Sequence, residues 1–278
     1  MSIVTFWSGT DEQCGNTSSS LAFATQTAIE HNMRVLLIST SLNDSIIKDS
    51  FWKPTTNNGL GLFSVNRKLA FEANGVEGLD RVIRSNKISP DIITDYTKIV
   101  LADRLEILLG IEGTQGQFDL IKDRYSQIIQ LAGKFYDMVV VDLDRKIGKQ
   151  AEQDILNISD IVIAMVTQRA KQIEKVKKII LQNNILNEKK TILAIGKYLP
   201  DTKYNAKNIT RNILKKRDLI NIIPYNSLFF EATQEGKVID LFLSFMRLRE
   251  KDQNFTFIQE LDRLYETIDM KIKMLRIS

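Results

Sequence analysis

Ser2-Ile-Val-Thr-Phe-Trp7, followed by Ser8-Gly-Thr-Asp-Glu-Gln-Cys-Gly-Asn16, decides the reading of this chain. The first six residues read as a short buried strand, and the next nine as a polar loop with a glycine near each end. Thr17 to Asn32 reads as a helix, and Arg34-Val-Leu-Leu-Ile-Ser39 as a second strand. A strand, a glycine-containing loop, a helix and a returning strand form a unit that commonly holds a phosphate. Loop N–H groups and the positive end of the helix dipole converge on an anion there.

Outward from this unit, apolar runs alternate with helical patterns. Ile99-Val-Leu101 and Leu105-Glu-Ile-Leu-Leu109 read as strand material stopped by Gly110. Leu120, Ile121, Tyr125, Ile128, Ile129 and Ala132 recur at three- and four-residue spacing, which predicts one face of a helix. Met138-Val-Val-Val-Asp142 is an apolar strand ending in a carboxylate, and Ile161 to Val166 is another. A basic helix follows, with Ile173, Val176 and Ile180 on its apolar side. Then come a strand from Thr191 to Ile195, a lysine-rich helix from about Tyr204 to Arg217, and a strand from Leu219 to Ile223 stopped by Pro224. Asn57-Asn-Gly-Leu-Gly61 reads as a turn. Continuous apolar strands between helices predict a doubly wound, mainly parallel α/β sheet of about seven strands, covered on both faces. Ligands of such sheets lie beyond the carboxyl ends of the strands, where Ser8–Asn16 and Asp142 fall. Residues 1–278 read as one domain, with 251–278 a C-terminal amphipathic helix. Phe257, Ile258, Leu261, Leu264, Tyr265, Ile268, Ile272 and Leu275 share one side of it. That side suits packing on the domain or a partner helix. A weak peripheral membrane contact is the alternative, opposed by Glu260, Asp262, Glu266 and Asp269 on the polar side.

Composition bounds the function. The 278 residues are 44% hydrophobic and 26% charged, with a net charge of +4, as expected of a globular protein. The charge neither demands nor excludes nucleic acid. A single cysteine, Cys14, rules out an internal disulfide, and a basic n-region with a long apolar run is lacking at the start. The expectation is a cytoplasmic protein. The only histidine, His31, is roughly 20 Å along the helix from Cys14, too far for a Cys–His pair. It reads as a surface helix residue, and no Cys/His cluster suggests zinc.

In this order of elements the chain resembles the ParA/MinD family of P-loop ATPases over most of its length. The N-terminal unit is similar to the family's strand, phosphate loop and helix. Val139-Val-Val-Asp142 resembles the strand ending in the metal-associated aspartate, and Ile158-Ser-Asp-Ile-Val-Ile-Ala-Met-Val-Thr-Gln168 resembles the strand after it. Ile222-Ile-Pro-Tyr-Asn-Ser-Leu-Phe-Phe-Glu-Ala-Thr-Gln-Glu-Gly236 is similar to the family's late segment near the adenine. Arg104-Leu-Glu-Ile-Leu-Leu-Gly110 is similar to the CpaE/TadZ branch of Tad (Flp-type) pilus assembly. The resemblance implies ATP and Mg²⁺ as cofactors. It implies a homodimer, a protein partner in a pilus, secretion or positioning system, and optionally non-specific DNA. By the same resemblance the nucleotide-binding positions are Gly9, Thr10, Asp11, Glu12, Gln13, Cys14, Gly15, Asn16, Thr17, Ser18 and Pro224, and the metal positions are Thr17 and Asp142. No residue is assigned a catalytic role.

The departures from the family pattern are specific. The usual loop is G-x-x-x-x-G-K-[ST]. This one runs Gly9, five residues, Gly15, Asn16, Thr17: one residue longer, with asparagine where the lysine belongs. Thr10 and Asp11 stand where the family carries its second, signature lysine, and no Lys or Arg lies between Met1 and Met33. Ser39 and Ser41 replace the usual aspartates, and Leu143-Asp-Arg-Lys-Ile-Gly148 replaces the turn after Asp142. A unit charge pair at 4 Å is worth about 4 kcal/mol at an effective dielectric of 20, so losing the cation weakens phosphate binding unless another group substitutes. Arg145 and Lys146 are the candidates weighed for that. The expectation is a degenerate family member acting as a positioning or assembly factor with weak or absent hydrolysis. The alternatives are an active ATPase with a cation from elsewhere, or a DNA-associated partition-like protein. The last would use the basic helix carrying Arg169, Lys171, Lys175, Lys177 and Lys178, and Lys215-Lys-Arg217.

Overall fold

A computed structural model describes residues 1–10, 12–43, 45–52, 75–85, 89–186, 190–211, 220–248, 252 and 254–277. Asp11, the Asn57–Gly61 turn, Leu219 and Lys215–Arg217 lie outside the described residues.

The strands are β1 (Ser2–Trp7), β2 (Val35–Ser39), β3 (Lys98–Leu101), β4 (Leu105–Leu108), β5 (Met138–Asp142), β6 (Ile161–Val166), β7 (Thr191–Tyr198) and β8 (Asn221–Pro224). The helices are α1 (Asn16–Glu30), α2 (Ile46–Phe51), α3 (Val76–Arg84), α4 (Gln115–Ile121), α5 (Tyr125–Gly133), α6 (Lys149–Ile158), α7 (Ala170–Gln182), α8 (Ala206–Ile209), α9 (Ser227–Glu235), α10 (Val238–Phe245) and α11 (Phe255–Ile277).

The strands form one eight-stranded sheet in the order β3-β4-β2-β5-β1-β6-β7-β8, against an expectation of about seven. Every pairing is parallel except β3 with β4. The three residues between β3 and β4 are too few for a parallel crossover, so the segment turns back as an edge strand. All residues of β1, β2, β5 and β6 are buried, because helices cover both faces. On one face the core gathers Leu79, Phe118, Tyr125, Ile128, Ile155, Ile173 and Val176 from α3 to α7. On the other it gathers Leu21, Phe23, Phe229, Phe242, Leu261 and Leu264 from α1, α9, α10 and α11.

Two expectations need correction. The helical pattern from Leu120 to Ala132 is two helices, separated by a tight turn at Lys122–Arg124, and Leu120 is exposed rather than on the apolar side. His31 is the C-cap residue of α1, not a free surface residue, and its ring stacks on Tyr265 of α11 at 3.6 Å. The apolar side of α11 is buried by the domain: Phe257, Leu261, Leu264 and Ile268 are at most 2% exposed. That side is therefore not available to a membrane. Among the described residues no helix is long and apolar enough to cross one.

Candidate functional site

The register of the sheet builds the site. β1 lies between β5 and β6, which the chain reaches in opposite directions, so its carboxyl end is the switch point of the fold. Phe6 pairs with Asp142, and Asp142 with Ser39, so three strand ends stand level. The Ser8–Gly15 loop leaves β1 there and enters α1.

Gly15 is the N-cap of α1 in the left-handed conformation, φ +77°, which glycine adopts without strain. The first turn of a helix has N–H groups without intrahelical partners, and these are what an anion meets. Thr17 and Ser18, both half-buried, stand in that turn, and the Ser18 hydroxyl donates to the Gly15 carbonyl at 3.1 Å.

The rest of the loop is tied back to the protein. Gly9 lies under the Trp7 indole, where a Cβ would come within 2.5 Å of the ring. The Thr10 carbonyl accepts from Ser8 Oγ at 3.0 Å and from Arg145 Nη1 at 2.9 Å, and its hydroxyl accepts from Gln172 Nε2 at 2.6 Å. Gln172 in turn accepts from the Thr167 N–H at 2.6 Å. Glu12 accepts from Thr167 Oγ1 at 3.2 Å and faces Arg169 Nη1 at 3.6 Å, while Gln13 points to solvent. Cys14 is 1% exposed and its thiol donates to Ser8 Oγ at 3.4 Å. Burial pushes that thiol up from its ordinary value, the Ser8 contact opposing, so it is a packing group and not a nucleophile.

Asn16 defines the chemistry. Its amide donates to Asp142 Oδ1 at 2.7 Å and to the Phe6 carbonyl at 3.2 Å, while its own Oδ1 is buried without a partner. A neutral amide thus holds the carboxylate at the end of β5. Ser39 and Ser41 share a 2.7 Å hydrogen bond and are 4% and 3% exposed. The two hydroxyls are closed on each other. Thr17 and Asp142 are the residues that would hold a Mg²⁺ carried mainly by nucleotide phosphates, and the Asn16 amide takes one oxygen of that carboxylate. Among the described residues no group of three His, Cys, Asp or Glu side chains could hold a metal by itself.

Arg145 faces the loop but donates to its backbone, and Lys146 is exposed. The cation that sequence reasoning missed is Lys197, at the end of β7. A Cβ on Gly15 would lie 3.1 Å from Lys197 Cγ and 3.2 Å from its Cε, so the side chain runs over the loop. Lys197, Ser18 and Ser19 also line a cleft with Pro224, Asn226, Phe229 and Phe230. At about 70 Å³ that cleft is far below the roughly 300–1,000 Å³ of a ligand-sized pocket, and the half-exposed Phe230 stands at its rim. The local signal was present: a glycine–lysine pair closes a parallel strand whose carboxyl end borders the loop. The basic positions of α7 lie elsewhere, with Lys171, Lys175 and Lys178 facing solvent.

Comparison with solved structures matches this fold across nearly the whole chain. A ParA family ATPase from Chlorobium tepidum TLS superposes with a TM-score of 0.66 at 14% identity, covering 98% of each chain. The septum site-determining protein MinD from Pyrococcus horikoshii OT3, complexed with Mg-ADP, gives 0.62 at 14% identity over 97% of this chain and 98% of that one. A chain of the MinC:MinD cell division protein complex from Aquifex aeolicus gives 0.58 at 15% identity, covering 96% of each. The fold is that of the ParA/MinD P-loop ATPases. No protein-family model matches the sequence, and no curated protein matches it. The residues gathered here stand at the carboxyl ends of β1, β2 and β5, and Pro224 lines the cleft beside them.

Proposed function

We propose that this chain is a positioning or assembly factor of the ParA/MinD type, with weakened nucleotide binding and little or no hydrolysis. The observation that carries the reading is the Asn16–Asp142 hydrogen bond. An amide occupies the place of the phosphate-loop cation and occupies the carboxylate that would attend the metal. The closed Ser39–Ser41 pair supports the same conclusion from the neighbouring strand. The retained left-handed Gly15, the open first turn of α1 and the cleft beside Pro224 support a site that still accepts a nucleoside phosphate. One neighbour of this fold is complexed with Mg-ADP and another with a protein partner, MinC, which fits a role exercised through partners and dimerisation. The finer assignment, assembly of a Tad/Flp-type pilus or secretion machine, rests on the Arg104–Gly110 segment and its likeness to the CpaE/TadZ branch.

The test is a calorimetric titration with ATP and Mg²⁺ at protein concentrations that detect millimolar binding, with phosphate release followed in parallel. Weak binding with no turnover is expected. Steady ATP hydrolysis that Asp142→Ala abolishes would overturn the reading.

A further inference from the structure

The end of β7 departs from regular strand geometry in three ways. The β7–β8 pairing shifts register between Ile195 and Tyr198. Lys197 has φ +50°, a conformation that costs any residue with a Cβ. At Gly196 a Cβ would come within 2.0 Å of the Cys14 carbonyl, so this position must lack one for the loop to lie against the strand. Bulges of this kind re-aim a side chain, and strained backbone collects at ligand sites. Here the re-aimed side chain is a lysine. No hydrogen bond or ion pair holds its ammonium among the described residues, and its stem crosses Gly15. In the regular alternation of a strand a residue points to one face of the sheet; the bulge turns this one over the strand's end toward the loop.

We infer that Lys197 supplies the cation missing from position 16, reaching the phosphates of a bound nucleoside di- or triphosphate from the sheet side of the loop. The inference rests on the nucleotide-binding reading above. It adds which charge the site uses and from which element it comes. The geometry is consistent with both halves of such a ligand. The same side chain borders the Gly15 turn, where phosphate would sit, and the Pro224–Phe229 cleft, where a base would enter. A cation on a flexible stem outside the loop is less well positioned than one fixed by the helix, which agrees with weak binding and poor turnover.

The experiment compares ATP–Mg²⁺, inorganic triphosphate and adenosine on the full chain, by calorimetry, for wild type, Lys197→Gly, Lys197→Met and Lys197→Arg, with melting temperatures alongside. Glycine fits φ +50° without strain, so Lys197→Gly is expected to melt at or above the wild-type temperature while binding ATP at least tenfold more weakly. Lys197→Met, which keeps the aliphatic stem, is expected to lose the same affinity, and Lys197→Arg to retain most of it. Adenosine binding is expected to be the same in all four. Wild-type affinity for ATP in both neutral variants would overturn the role of Lys197 and leave the nucleotide site standing. An equal loss of adenosine affinity would also overturn it, because the lysine would then shape the cleft and not contact phosphate. A wild-type protein that binds neither ATP nor triphosphate at millimolar concentration would overturn the nucleotide reading itself, and this inference with it.

Discussion

Asn16 ties three parts of the fold together through one side chain. Its amide bridges the Phe6 carbonyl and the Asp142 carboxylate, so the loop, β1 and β5 are pinned at one point. Asp142 is 3% exposed, and a buried carboxylate that loses a donor carries a full desolvation cost. Asn16→Ala is therefore expected to destabilise the protein by about 1.5–3 kcal/mol, read as a lower urea midpoint with an unchanged slope. An unchanged midpoint would mean the bridge contributes nothing. That an asparagine follows Gly15 was legible in the sequence. Its partner was not, because Asp142 is distant along the chain and only the β1–β5 register brings the two together. Lys197 escaped notice for a related reason. Arg145 and Lys146 follow β5, the strand that carries Asp142, whereas Lys197 comes from β7, on the far side of β6.

The elements were read well where burial is uniform. β1, β2, β5 and β6 are continuous apolar runs because both faces of each strand are covered, and a run of that kind leaves little ambiguity about its neighbours. The reading failed where the pattern stayed periodic through a break. Tyr125, Ile128 and Ile129 continue the spacing begun at Ile121, although a turn at Lys122–Arg124 separates the two helices. The amphipathic pattern of α11 was plain in the sequence, but its partner was open between domain, second protein and membrane. The structure seats it beside α1 and β8, with Tyr265 stacked on His31 and Asp262 accepting from Gln26 Nε2 at 2.8 Å. Leu264 of α11 is fully buried in the core on that face. Leu264→Ala is expected to cost about 2–5 kcal/mol, measurable by chemical denaturation. A change below 0.5 kcal/mol would show that α11 is not docked in solution.

At the scale of the whole molecule, stability follows pH through groups the fold has partly desolvated. Burial holds the Lys98 ammonium down at about 8, with Lys48 repelling it and Glu112 opposing the shift. The folded protein thus binds fewer protons than the unfolded chain above about pH 8, and stability rises with pH there. Below that value the cost of the charged ammonium is fully present. The buried phenols of Tyr125 and Tyr136 are pushed up, as is the Cys14 thiol. These stay neutral in the folded state while the unfolded chain ionises, so they remove stability above about pH 9–10. The expected profile from urea unfolding is a rise from about pH 7.5 to 9, then a fall. Burial also lowers the Lys190 ammonium, so Lys98→Gln should reduce the rise without abolishing it and leave the fall. A rise undiminished by the substitution would mean that Lys98 is not its source.

Taken alone, the sequence determined the class of fold, the loop and helix at the first strand, and the asparagine that follows Gly15. All of these are written in local apolar runs, glycine positions and residue identity. Tertiary structure alone decided which side chains surround that loop. Which side chains meet at the carboxyl ends of parallel strands depends on strand order and register, and these pair residues far apart in the chain. The Asn16–Asp142 bridge comes from the β1–β5 register, and Lys197 reaches the loop through the bulge at the end of β7.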